Sequence, residues 1–282
     1  MEDLHNYLAE ASAVTDLKSF MVFGGEPMLY PSRAITAFDK ARELKVPEIS
    51  MLTNGTWGRN EEEADRLAER LRRSGLNELG ICVDAFHQQF IPLEHPRNAA
   101  VASVRAGIEQ VSWNVGVIES MSARNKYDKK TAEILTKLEP LGIEAHVHRV
   151  IPVGRALMNL RRYFKRESLQ GSCEGDPILE NPLTDPETIT IEPSGKVDIC
   201  WNLSIGNAKE RPVSRIVREY NWQDSPIIRT LVDEGPIGLT DLAKRNGFRR
   251  EKARYVNKCH LCIEVRKTLG ASESLWLIAG TF

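Results

Sequence analysis

The chain has 282 residues, with 38 basic and 39 acidic side chains and a formal net charge of −1. That balance argues against a protein that grips nucleic acid through bulk charge, and against a polybasic membrane anchor. Hydrophobic residues at 41% and charged residues at 27% are ordinary globular usage, and the length suffices for one large domain or a domain with a smaller appendage.

No apolar run reaches the roughly 18 residues that a membrane-crossing helix needs. The opening Met1-Glu2-Asp3-Leu4-His5 is acidic and lacks an apolar run, so it does not read as a signal peptide. The five cysteines are Cys82, Cys173, Cys200, Cys259 and Cys262. An odd count without an export signal predicts a reducing, cytoplasmic setting, where clustered cysteines are metal ligands rather than disulfides.

In chain order, a helix comes first, through Leu4, Tyr7, Leu8 and Ala11. Strands are predicted at Ser19–Phe23, Glu48–Leu52, Glu78–Val83, Ser112–Ile118 and Glu144–Ile151, spaced as parallel βα units require. Between the second and third, Asn60 caps a helix with Glu63 as the return arm of a capping box. Ala64, Leu67, Ala68 and Leu71 form its inner face. Glu61, Glu62 and Glu63 open that helix, Arg70, Arg72 and Arg73 close it as the helix dipole favours, and Gly75 ends it. A second helix is predicted over 129–141. A βα repeat that begins on a helix lacks its first strand.

After Arg155 the pattern changes. A polar stretch punctuated by Gly and Pro runs to 187. A hairpin follows, Thr188–Glu192 and Lys196–Cys200 joined by Pro193-Ser194-Gly195. Short helices are predicted at Ser214–Tyr220, Pro226–Asp233 and Thr240–Asn246. The apolar tail Ser274–Phe282 is expected to pack on something.

The unusual residues of the first half gather at the C-terminal ends of the strands: Gly24-Gly25-Glu26-Pro27, Thr53-Asn54-Gly55, Asp84-Ala85-Phe86-His87, Glu119, and Pro152-Val153-Gly154-Arg155. In parallel α/β folds that edge is where ligands bind. The glycine pair permits close backbone approach and Pro27 restrains Glu26. An acceptor-only loop with one negative charge suits an ammonium group; a tight turn with a solvated glutamate is the alternative. His87 reads as an acid or base, or more readily as a loop hydrogen-bonding residue. Cys82 reads as a small buried apolar residue, and Glu119 as a surface glutamate.

Phe23-Gly24-Gly25-Glu26-Pro27-Met28-Leu29-Tyr30-Pro31 resembles the GGEP segment of radical S-adenosylmethionine (SAM) enzymes. Thr53-Asn54-Gly55-Thr56-Trp57, Asp84 to Pro92 and Pro152 to Ala156 resemble later strand ends of the same family. The resemblance implies that Gly24, Gly25 and Glu26 hold the SAM amino group. It implies that Asn54 meets the methionyl part, Asp84 the ribose and the backbone near Ile151 the adenine. Glu119 is a candidate contact of the ribose or methionyl part.

Cys259-His260-Leu261-Cys262 is a C-x-x-C turn, and Cys200 ends a hairpin strand. With Cys173 they make four thiols, a set that suits a [4Fe–4S] cluster and equally a tetrahedral zinc; four unrelated thiols are the remaining alternative. Lys258, Arg266 and Lys267 would offset thiolate charge. Ser194 to Cys200 resembles the hairpin of SPASM and twitch domains, and Ile205-Gly206-Asn207 the segment after it, which implies one auxiliary iron–sulfur cluster. The family's SAM-cleaving cluster sits on a C-x-x-x-C-x-x-C loop, and no such motif occurs in these 282 residues. The chain is therefore expected to be a shortened version of a longer protein, unable to cleave SAM as it stands.

The resulting reading is an α/β protein. Residues 1–155 form a partial (β/α) barrel of radical SAM type without its first strand. Residues 156–282 form a small α+β auxiliary-cluster domain. The implied function is an oxidoreductase or maturase that, when complete, generates a 5′-deoxyadenosyl radical. An unnamed substrate, for which the architecture suggests a peptide by analogy, and a reducing partner are implied. A degenerate, non-catalytic SAM- or peptide-binding protein and a zinc-stabilised binding module are the rivals.

Overall fold

The computed structural model describes residues 2–174, 181–250 and 255–270. Each short apolar run of the first half becomes a strand: β1 (Ser19–Val22), β2 (Glu48–Thr53), β3 (Glu78–Cys82), β4 (Gln110–Val117) and β5 (Glu144–Arg149). They pair in chain order, every pair parallel. Parallel neighbours need a long crossover, and helices supply it: α2 (Pro31–Glu43), α3 (Glu61–Arg73), α4 (Glu94–Ala106) and α5 (Lys126–Leu138), with α1 (Glu2–Ser12) ahead of β1. The chain divides into two compact units, Met1–Val150 and Ile151–Phe282.

Alternation along the strands decides which face is dry. Ile49 and Met51 of β2, Leu79 and Ile81 of β3, and Trp113 and Val115 of β4 join Phe38, Leu71, Ala99, Ala100, Ile134 and Leu138 of the helices in one core. Gly80, Cys82, Ser112, Asn114 and Gly116 take the intervening positions. The capping prediction for α3 holds at its first half: Asn60 accepts from the Glu63 N–H at 3.0 Å. The last turn is closed by Ser74, whose N–H reaches the Arg70 carbonyl, and Gly75 follows at φ +106.

Several predicted bounds shift for local reasons. β5 stops at Arg149, short of Ile151, because Pro152 offers no donor and the Ile151 carbonyl turns to accept from Val153 N at 2.8 Å. β3 stops at Cys82, since the pairing with β4 ends at Cys82 opposite Asn114. Cys82 is therefore a half-buried residue at the strand's end, not the buried apolar residue expected. α5 starts at Lys126, three residues before the predicted 129, because the Asn125 side chain accepts from Tyr127 and Asp128 N–H groups. It gives way to a 3₁₀ turn at Glu139–Leu141 around Pro140.

In the second unit α6 (Gly154–Leu160) is followed by an antiparallel sheet of β6 (Thr190–Ile191), β7 (Lys196–Cys200) and β8 (Leu203–Asn207). The hairpin was legible and β8 was not. Gly195 turns the first hairpin at φ +93, where a Cβ would fall 2.4 Å from Asn207 Oδ1. Then come α7 (Val213–Arg218), α8 (Pro226–Asp233), α9 (Pro236–Lys244) and α10 (Lys258–Gly270). Leu183, Ile199, Leu231, Leu239, Leu261, Val265 and Leu269 form its core together with Cys173 and Cys262. The tail predicted to pack, Ser274–Phe282, lies outside the described residues. Among the described residues no helix is long and apolar enough to cross a membrane.

Candidate functional site

The loop after β1 is built by its glycines. Gly24 at φ +85 and Gly25 at φ +56 occupy the left-handed region, and a Cβ on either would meet nothing within 4 Å. The backbone there faces open space, as close approach of a ligand requires. Glu26 then stitches β1 to β2. Its Oε1 accepts from Met28 N at 3.0 Å and from Thr53 Oγ1 at 2.6 Å, and its Oε2 accepts from Asn54 N at 2.7 Å. A carboxylate has about four acceptor sites, so one remains for a ligand donor beside the open glycines. Asn54 turns its side chain inward along the loop, Oδ1 accepting from Thr56 N at 2.9 Å. Gly55 is demanded by packing: a Cβ there would lie 2.6 Å from Pro96 Cα.

Asp84, predicted as a ribose contact, is 2% exposed. Its Oδ1 accepts from Phe86 N at 2.9 Å, His87 N at 3.0 Å and His87 Nδ1 at 2.9 Å, and its Oδ2 accepts from Gly116 N at 3.1 Å. The carboxylate thus faces the chain's own donors and ties the end of β3 to β4. Burial pushes its pKa up, but the His87 and Gly116 bonds outweigh burial and hold it below the usual aspartate value. Burial also pulls His87 down, yet bonds and charge from Asp84 and Cys82 win, and its pKa is raised to about 10. His87 therefore plays the loop role expected of it, and it is also poised as an imidazolium, which the sequence reading did not foresee.

Other organising residues went unread. Asp128, fully buried, accepts from Ile118 N, Glu119 N, Ser120 N and Asn125 Nδ2 at 2.7 to 3.2 Å and so shapes the loop after β4 that carries Glu119. Thr131 Oγ1 accepts from Ala85 N at 3.0 Å, and Gln88 Oε1 from Asp84 N at 2.7 Å. Thr53, one of the strand-end residues singled out in sequence, donates to Glu26. For Asp128 the available signal was an acidic residue in the first turn of an amphipathic helix. Ile151 falls in the second unit; the first unit joins Gly24, Gly25, Glu26 and Asn54 through the Glu26 bonds, with Asp84 on the end of β3.

The C-x-x-C lies in the first turn of α10 rather than in a free turn, which sets Cys259 and Cys262 one helical turn apart on the same side. Cys200 ends β7. Cys173 follows a tight crossing in which Gly235 is obligatory, a Cβ there falling 1.9 Å from the Gly171 carbonyl oxygen. Cys173 N donates to Leu231 O at 2.9 Å. The neighbouring Glu174 accepts from Leu183 N at 2.8 Å and Thr184 Oγ1 at 2.6 Å. Burial, then Cys262, Cys259 and Cys200, push the Cys173 thiol to about 12 against the opposing pull of Lys258. Burial and Cys262 likewise push Cys200 to about 11, opposed by Arg266.

Arg266 Nε donates to Cys262 Sγ at 3.3 Å and its terminal nitrogens hold the Trp201 and Asn202 carbonyls. Lys258 Nζ donates to Ser172 O at 2.7 Å. Lys267 was expected to balance thiolate charge, but its ammonium pairs with Glu264 at 3.0 Å. Among the described residues no group of three or more His, Cys, Asp or Glu side chains is arranged to hold one metal ion. Four thiols are donors that a [4Fe–4S] cluster and a zinc ion both accept. Beyond burial, Cys262, Cys259 and Cys200 all raise the Cys173 thiol, and buried thiols become thiolates only where a cation compensates them. A zinc tetrahedron would need all four sulfurs about 2.3 Å from a single ion.

The sequence pattern of the Radical SAM superfamily matches residues 1–155. No curated protein matches the chain.

Proposed function

This chain belongs to the radical SAM superfamily, and from that premise we propose that it is a SAM-binding iron–sulfur oxidoreductase or maturase. We propose further that residues 156–282 are a SPASM- or twitch-like domain with one auxiliary [4Fe–4S] cluster on Cys173, Cys200, Cys259 and Cys262. What supports the reading is that Cys173 and Cys262 lie in one core with Cys200 packed against it, and that, beyond burial, Cys262, Cys259 and Cys200 all raise the Cys173 thiol. The cluster, when bound, supplies one-electron chemistry. The chain's residues do the rest. Gly24 and Gly25 leave backbone open to a ligand, Glu26 sets the loop's direction and keeps one acceptor site, and Arg266 and Lys258 offset thiolate charge. Asp84, the ribose contact that the resemblance implies, also fixes the end of β3 from within. The substrate is not named by the chain; a peptide is proposed by analogy with the domain architecture alone, with a separate reducing partner, in a reducing cytoplasmic setting.

Anaerobic reconstitution with iron and sulfide tests this. The protein should turn brown and hold about four irons and as much sulfide per chain, as a cubane on four cysteines requires. Stoichiometric zinc without sulfide would contradict it and favour a zinc-stabilised module.

A further inference from the structure

The second unit holds a cavity of about 430 Å³ lined by Arg161, Arg162, Phe164, Arg166, Tyr255 and Val256, none of which the reading above uses. Its walls come from two distant stretches of chain. One is the segment after α6, where Leu160 is buried, a 3₁₀ turn runs over Arg161–Tyr163 and Phe164 is buried again. That spacing leaves Arg161, Arg162 and Arg166 exposed. The other is Tyr255-Val256, both buried. The two are tied together, since Glu167 N donates to Val256 O at 2.8 Å. Val256 N in turn donates to His260 Nδ1 at 3.3 Å, and the Tyr255 ring stands edge-on to that imidazole at 5.2 Å between centroids. The result is a braced apolar floor under a rim of three guanidinium groups.

Charge is segregated here. From Gly154 to Arg166 the chain carries Arg155, Arg161, Arg162, Lys165 and Arg166 and no acid, in a protein whose net charge is −1. Arg162 is set in place by Tyr163: its guanidinium carbon lies 4.9 Å from the ring centroid and Nη2 donates to the phenol oxygen at 3.0 Å. That uses one of five N–H donors. Among the described residues no carboxylate pairs with Arg162 or Arg166. We propose that this cavity binds a nucleoside diphosphate, its phosphates on Arg161, Arg162 and Arg166 and its base against Phe164, Tyr255 and Val256. The planar guanidinium fork matches phosphate oxygens in pairs. A diphosphate brings about three negative charges at neutral pH, which balance three arginines, whereas a single carboxylate would leave two uncompensated. The cavity has the size of sites for small organic ligands, and its apolar floor would be idle beneath a bare inorganic anion. The site shares no residue with the SAM-binding edge or with the four late cysteines.

Titration calorimetry of the full chain with GDP, whose base is not that of SAM, tests this. Magnesium-free buffer at about 0.15 M salt screens loose surface attraction. GDP should bind with a Kd of about 10–100 μM, which a ligand of its size can reach. Guanosine should bind at least about a hundredfold more weakly, having lost the charge-assisted bonds, and pyrophosphate about tenfold more weakly, having lost the apolar contact. Arg162→Gln and Arg166→Gln should each raise the Kd about tenfold while leaving the circular dichroism spectrum unchanged. Lys165→Gln removes the same charge from the same segment at a residue that does not line the cavity, and should shift the Kd less than about twofold. Failure of the parent to bind GDP would overturn the proposal without recourse to any variant, as would pyrophosphate or guanosine binding as tightly as GDP. So would a loss in Lys165→Gln equal to that in the arginine variants, the mark of bulk charge alone.

Discussion

Replacing Asp84 with Asn changes one atom and tests the end of β3. If the amide oxygen keeps the Phe86 and His87 donors, the amide nitrogen faces Gly116 N–H at the former 3.1 Å contact, donor against donor. A buried backbone N–H left unpaired costs about 1–3 kcal/mol. The lost charge pair adds up to about 1 kcal/mol, since an imidazole this exposed is screened. The expected loss at pH 7 is therefore about 3 kcal/mol in urea unfolding followed by circular dichroism. The sign with pH is fixed by the shifts. Asp84 is lowered, so its share is present above the ordinary 3.8 and lost as pH falls through its folded value. His87 is raised from 6.5 to about 10, so its share is full below 6.5 and lost as pH rises through 10. The gap between parent and Asp84→Asn should narrow at both extremes. Nuclear magnetic resonance should find His87 titrating near 10 in the parent and closer to its ordinary value in the variant. An unchanged His87 titration would refute the reasoning.

Gly55→Ala should cost about 3 kcal/mol or more, because its Cβ would sit 2.6 Å from Pro96 Cα. Gly24→Ala, with positive φ but nothing within 4 Å, should cost only about 1 kcal/mol; comparison of urea midpoints separates the two. Glu26→Gln should lose about 1.5–3 kcal/mol by the same assay, since the amide nitrogen that replaces one oxygen cannot accept the bond that Thr53 or Asn54 made to that oxygen, while the remaining oxygen still accepts. In metal-free protein the Cys173 thiol, pushed up to about 12, should be the slowest to react with iodoacetamide at pH 8. Its thiolate fraction there is on the order of 1 in 10,000, and labelling as fast as that of glutathione would contradict the burial assigned to it.

Much of the fold was legible because parallel strands announce themselves. Glu48–Thr53 and Glu78–Cys82 are short, apolar and separated by helices whose caps and charge gradients are explicit, as at Asn60 and Arg70. β8 was illegible: Leu203–Asn207 is short and polar, and its pairing follows from the turn at Asn202, whose φ of 50 no pattern announces. In the site, glycines and cysteines could be singled out because their chemistry is unusual. What each carboxylate does could not. Glu26, Asp84 and Asp128 all look like free acids in sequence, and each is instead occupied by backbone donors that arrive from another element. The same holds for His87, whose poise comes from Asp84 three residues away and from Cys82 at the strand's end.

The central claim is that four late cysteines share one cluster, and iron retention in single variants tests it most directly. Cys173→Ser, Cys200→Ser, Cys259→Ser and Cys262→Ser should each lower reconstituted iron well below the parent's roughly four per chain, while Cys82→Ser leaves it unchanged. Full iron in Cys173→Ser and Cys200→Ser would contradict the claim, since the two segments outside α10 would then contribute no ligand.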